Sequence, residues 1–239
     1  FRTFLQKRRE NAFGDDERRR IDLSAAAVLE ECGDLEPAIV LRLQYHDHAA
    51  ASEAIRVLAP GLIQQQRHAT LLTWLSALPT DDVWQCSQLS LWQGASTMLA
   101  DPVSARRWLA RSVEITEKEE KPQAILACCL AINTWLLHWD DFHGMDVWVN
   151  RLEQHLGNEI DNLPPDLQAH ICCSMLNASL FRGSDHATIA HWHQRGTAQL
   201  AEASDPTVYM MLANILVLLP TWNGNIAHSE LVLDKVRTS

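Results

Sequence analysis

The stretch Asp101-Pro102-Val103-Ser104-Ala105-Arg106-Arg107-Trp108-Leu109-Ala110-Arg111 decides the fold, because its skeleton returns twice, as Asp141 with Trp148 and Arg151 and as Asp185 with Trp192 and Arg195. In each copy the tryptophan follows the aspartate by seven residues and the arginine by ten, and the copies stand 40 and 44 residues apart. Two further columns align with them. A side-chain amide lies eight residues before each aspartate, at Gln93, Asn133 and Asn177, and the adjacent pairs Cys128-Cys129 and Cys172-Cys173 fall together. A repeat of about forty residues marks a helix-turn-helix unit that cannot bury its apolar faces alone and stacks on copies of itself. The aspartate accepts from the free amides that open the second helix, and the tryptophan buries against the neighbouring helix.

The period predicts first helices near 86–99, 123–138, 166–182 and 206–219, and second helices near 102–119, 142–156, 186–203 and 225–237. The last unit is degenerate, with Asn223-Gly224-Asn225 as its turn and no tryptophan in register. Before residue 86 the spacing changes but the helical pattern does not. Ile21 to Glu31 carries an apolar stripe ended by Gly33, Glu36 to Tyr45 follows, and Ala49 to Gln66 should split or bend at Pro60-Gly61. Thr70 to Leu78 is a short helix closed by a turn at Pro79-Thr80-Asp81-Asp82. The expectation is an all-α, right-handed superhelical solenoid of five or six antiparallel helix pairs.

Composition agrees. In 239 residues there are only nine Gly and nine Pro, against nine Trp, and 47% are hydrophobic, enough for a substantial core. A formal net charge of -10 opposes broad attraction to phosphate backbones or anionic membranes, so no direct nucleic-acid contact is expected. The longest apolar run, Met210 to Leu219, is too short to span a bilayer. Six cysteines without a CxxC pair or a secretory signal read as reduced thiols in a cytoplasmic protein. Phe1 to Glu10 is basic and amphipathic, as in a segment excised from something longer.

Several stretches resemble one family. Phe1-Arg2-Thr3-Phe4-Leu5 looks like the end of the winged-helix module of LuxR-family ATP-dependent (MalT-like) transcriptional regulators. Ala25-Ala26-Ala27-Val28-Leu29, Gly33-Asp34 and Ala38-Ile39 resemble the first arm helices of that family. Arg67 with Leu71-Leu72-Thr73-Trp74-Leu75-Ser76-Ala77-Leu78-Pro79 is similar to its Arg…Leu-x-x-Trp-Leu-x-x-Leu-Pro stretch, and Leu91-Trp92-Gln93-Gly94 and Asp101-Pro102-Val103-Ser104-Ala105-Arg106 continue the likeness. Gln64-Gln65-Gln66 departs from it, standing where similar proteins often carry a small residue or glycine before the arginine. The resemblance implies a winged-helix tail at 1–12 and a tetratricopeptide-like sensor and interaction arm at 13–239, its clearest repeats from 86 onward. Such an arm takes a small-molecule inducer or a partner protein, with self-association open, while ATP belongs to an upstream module; this stretch has no phosphate loop. The alternative is a free-standing repeat adaptor that clamps a partner's peptide.

The chemistry-bearing residues support binding more than catalysis. His46-Asp47-His48 and His191-Trp192-His193 place their histidines two apart, about 200° around a helix, which is wrong for joint chelation. The cysteine pairs read as small buried hydrophobes, and no nucleophile elbow or paired-carboxylate motif appears. Neither catalytic nor metal or cofactor residues are therefore assigned. Trp108, Trp148 and Trp192 read as packing between repeats, with Arg111, Arg151 and Arg195 covering the seams. The charge run Glu117 to Lys121 reads as a solvated helix end and loop. The amide column is different, because Gln93, Asn133 and Asn177 interrupt apolar first helices, and buried amides need partners in a neighbouring helix or in a ligand. Candidate ligand-binding residues are therefore Gln93, Asn133 and Asn177, with Trp135 beside Asn133 and Arg182 beyond Asn177 to orient a carboxylate.

Overall fold

Asp101 shows how the repeat is written into local structure. In the computed structural model its carboxylate accepts from the Ser104 amide at 2.9 Å, while Pro102 takes the first helical position, where no N–H is needed. Asp185 accepts from the Thr188 amide at 2.9 Å, and Asp141 from the His143 amide at 3.0 Å, each at the start of a second helix. Asp205 does the same for Thr207 at the start of a first helix.

The structure describes residues 13–116, 121–139, 141–157 and 159–238; the expected winged-helix tail at 1–12 and most of the charge run, 117–120, lie outside them. Among the described residues the chain is all-α and strand-free. Its helices are α1 (Asp15–Glu31), α2 (Leu35–Gln44), α3 (His48–Gln64), α4 (His68–Ala77), α5 (Thr80–Gln85), α6 (Ser87–Thr97) and α7 (Pro102–Ile115). There follow α8 (Lys121–His138), α9 (Met145–Leu156), α10 (Pro165–Arg182), α11 (His186–Gln199), α12 (Pro206–Trp222) and α13 (Ile226–Thr238). No helix is long and apolar enough to cross a membrane among the described residues.

The repeat period locates α6 to α13 to within a few residues, and three expectations around proline are corrected. The split expected of α3 at Pro60 does not occur, because its buried stripe of Ala51, Ala54, Ile55, Ala59 and Leu62 continues past the exposed ring. Burying Ala59 and Leu62 outweighs the one backbone bond that proline removes. Helix α12 likewise runs through Pro220 to Trp222. Residues 80–82, expected as a turn, open α5 instead, with Asp81 and Asp82 in its first turn facing the positive helix end and Val83 buried beneath.

Many helices pack on a neighbour in sequence, and the first helices of successive pairs, α6, α8, α10 and α12, also lie side by side. Second helices bury one stripe, as in α9 with Met145, Trp148, Leu152 and Leu156. The first helices α8 and α10 are buried on most of their circumference. Three apolar clusters follow one another along the chain, from Ile39 to Leu89, from Leu91 to Ala178 and from Ala169 to Val232. Trp92 packs against the first and second, Trp192 against the second and third. Trp148 is buried in the second, and Trp108 meets Trp84 edge-on at 5.0 Å beside the first. Of the arginine column, Arg111 donates to the Trp84 carbonyl at 2.9 Å and Arg195 pairs with Asp161, while Arg151 lies 5.0 Å over the Trp148 ring of its own helix.

Candidate functional site

Helices α6, α8 and α10, the start of α12 and the C-terminal half of α3 turn one face each toward a cavity of about 440 Å³. Helical spacing produces those faces: Gln88, Leu91 and Ala95 on α6, and Gln123, Leu126 and Leu130 on α8. Leu91, Trp92, Leu126, Leu130, Leu167 and Val208 form an apolar wall, interrupted by Arg56, Gln64, Gln88, Gln123, Asp166, His170 and Asp205.

The polar groups are unevenly placed. Arg56 is paired with Glu53 on its own helix. At the α10 and α12 side, Asp166 accepts from the Ser204 amide and hydroxyl, both at 2.7 Å, and from the Asp205 amide at 3.0 Å. Burial pushes the Asp166 carboxyl up, but the bonds from Ser204 and Asp205 outweigh it and leave the group below its usual range. Asp205 accepts from the Thr207 and Val208 amides, both through Oδ1. Burial holds His170 below the ordinary imidazole range against the opposing pull of Asp205 and Asp166, so the ring is neutral at pH 7. Gln123 adds a buried Nε2 donor with no acceptor.

A hydrogen bond links distant parts of the chain beside this cavity. Gln66 Nε2 donates to Thr207 Oγ1 at 2.9 Å, joining the end of α3 to the start of α12 across 141 residues of sequence. Gln66 has φ 59°, a conformation that favours glycine, so its backbone carries strain. A second, more open cavity of about 640 Å³ lies on the other side of the bridge, lined by Gln66 and Thr207 and by Asn177, Met210 and Asn214.

The five residues singled out from sequence are dispersed. Asn133 and Asn177 are brought together: Asn177 Nδ2 donates to Asn133 Oδ1 at 3.4 Å between α8 and α10, and only Asn177 also lines the second cavity. The Nδ2 of Asn133 is buried without an acceptor. Gln93 is half-buried and donates to Thr97 Oγ1 at 3.3 Å within α6, lining neither cavity. Trp135 is sandwiched, with the Arg106 guanidinium 4.0 Å above its ring and Gly144 so close that a Cβ there would collide with it. Arg182 makes a two-pronged pair with Asp146 of α9, at 2.8 and 2.9 Å.

The groove residues Arg56, Gln123, Asp166, His170 and Asp205 were not found by sequence reasoning. Their signal is the spacing of Gln88, Gln123 and the acidic residues near the starts of first helices, which is submerged where a helix is apolar all round. Among the described residues no three His, Cys, Asp or Glu side chains gather as a metal site. His193 is buried, its Nε2 3.1 Å from the Leu216 carbonyl. Comparison of the chain with protein-family models, with curated proteins and with solved structures finds no match.

Proposed function

We propose that the chain is the sensing arm of an ATP-dependent LuxR-type activator, a tetratricopeptide-like superhelix that binds a small ligand in the groove enclosed by its inner helices. The observation that carries this reading is the convergence of five helices, α3, α6, α8, α10 and α12, on one cavity of about 440 Å³. That volume and its apolar wall with a few fixed polar groups suit a small molecule. The resemblance of Arg67 to Pro79 and Asp101 to Arg106 to the family's arm supports the wider assignment.

The ligand acts through its differential affinity for two arrangements of the array, one with the Gln66–Thr207 bridge formed and one with it broken. A peptide-clamping adaptor is the second reading, favoured by the open cavity beside the exposed Met210. A thermal-shift screen of a small-molecule library against the chain and its Gln88→Trp variant, which fills the groove from its rim, tests the first. Compounds should stabilise the parent and not the variant; hits that stabilise both equally would place binding elsewhere. A phosphate loop encoded before Phe1 and a helix-turn-helix after Ser239 would favour the activator, and their absence the adaptor.

A further inference from the structure

We propose that the groove takes an ammonium-bearing amphiphile, an alkyl or aryl amine whose charged head lies at Asp205, Asp166 and His170 and whose body lies on Trp92, Leu126 and Leu130. This rests on the groove reading above and adds the chemical class of the ligand.

Charge complementarity decides the head group. Two carboxylates line the α10 and α12 end of the cavity, and among the described residues the only Lys or Arg lining it, Arg56, is held by Glu53. Asp205 uses Oδ1 for both of its backbone amides, so among the described residues its Oδ2 carries no hydrogen bond. Asp166 is anchored by three donors from Ser204 and Asp205. Both carboxylates are thus fixed before a ligand arrives, and an ammonium placed there is paired without reorganising its partners. The His170 imidazole, held neutral by burial, offers a ring-nitrogen acceptor rather than a competing cation. A phosphate or carboxylate head would meet two like charges at the same place.

The buried Gln123 Nε2 provides an independent constraint. It is a donor without an acceptor on a residue that lines the groove. A ligand oxygen, in a hydroxyl or carbonyl group, would satisfy it. The favoured ligand is therefore an amine that also carries one such oxygen.

Three probes of one shape separate the possibilities: phenethylamine, 2-phenylethanol and 3-phenylpropanoate, each titrated into the chain at pH 7.5 with Kd taken from ¹H–¹⁵N chemical shifts. The amine should bind roughly tenfold more tightly than the alcohol, and the acid more weakly than either. Asn caps a helix as well as Asp, so Asp205→Asn keeps α12 intact while removing the charge. In that variant the amine should fall to within about twofold of the alcohol. An acid that binds as well as the amine, or an amine preference that survives in both Asp205→Asn and Asp166→Asn, would overturn the assignment. If alcohol and acid bind, Gln88→Trp abolishes both and the amine gains nothing, the groove stands and the ammonium assignment falls; if no probe binds, both fall.

Discussion

Asn133 and Asn177 hold the same place in consecutive repeats, and stacking α8 on α10 lays one amide against the other, buried to 3% and 7% exposure. Replacing Asn177 alone by Leu strands the Asn133 side chain in an apolar surrounding and should cost about 1 to 3 kcal/mol. Replacing both removes donor and acceptor together, so Asn133→Leu with Asn177→Leu should cost less than the sum of the single changes. Urea denaturation of the four proteins measures this, and strict additivity would mean that the amides do not act as a pair. The column was legible because the repeat period is; which partner each amide takes was not. Gln93 lies in the same column but spends its longer side chain on Thr97 within its own helix. Trp135 was chosen as a neighbour of Asn133, and Arg182 as a charge at the end of the helix beyond Asn177. Their surroundings are set by Arg106, Gly144 and Asp146 on adjacent helices, none of which belongs to a repeating column.

Helices α8 and α10 each carry an adjacent cysteine pair, and all four thiols are buried. Burial raises Cys128, Cys172 and Cys173 from 9.0 to about 12, and Cys129 well above 9.0. The folded thiols keep their protons where the unfolded ones release them, so this contribution to stability is fully present below pH 9 and is lost as pH rises from 9 toward 12. At about 1.4 kcal/mol per pH unit per thiol, the loss should be on the order of 5 kcal/mol by pH 10. Stability measured in urea with reductant should fall steeply above pH 9, and Cys128→Ala should lower the slope by about one proton; a flat profile would contradict the burial. Native alkylation should reach only Cys32, which is exposed, and Cys86, which is half-exposed. The acid side has the opposite sign. Burial lowers His68, His155 and His170 below 6.5, so their contribution is present above that pH and fades as pH falls. That α8 and α10 are helices was plain from the sequence, as was the burial of their cysteines. Which face looks into the groove was hidden, because twelve side chains of α10 are buried and its apolar pattern has no preferred side.

Across the whole molecule, three successive apolar clusters make a chain of local contacts, and the Gln66–Thr207 bond joins its distant parts. Gln66→Gly relieves the left-handed backbone, worth about 1 kcal/mol, and removes the bridge. The variant should melt no lower than the parent yet open more readily. Spin labels at Val57→Cys and Met210→Cys, both exposed positions, with Cys32 and Cys86 replaced by Ser, should show a distance distribution extended to longer values in Gln66→Gly. An unchanged distribution would reduce the bridge to an ordinary surface bond. Helix pairing was legible from Asp101, Asp141 and Asp185. The closure was not, because no local pattern announces a contact across 141 residues. The proposed binding site lies in the groove between the inner helices, and the indole ¹H–¹⁵N spectrum during titration with phenethylamine reports on it. Trp92, assigned through Trp92→Phe, should shift with saturable dependence while Trp222, exposed at the end of α12, stays fixed. Movement of Trp222 with Trp92 unmoved would contradict the account.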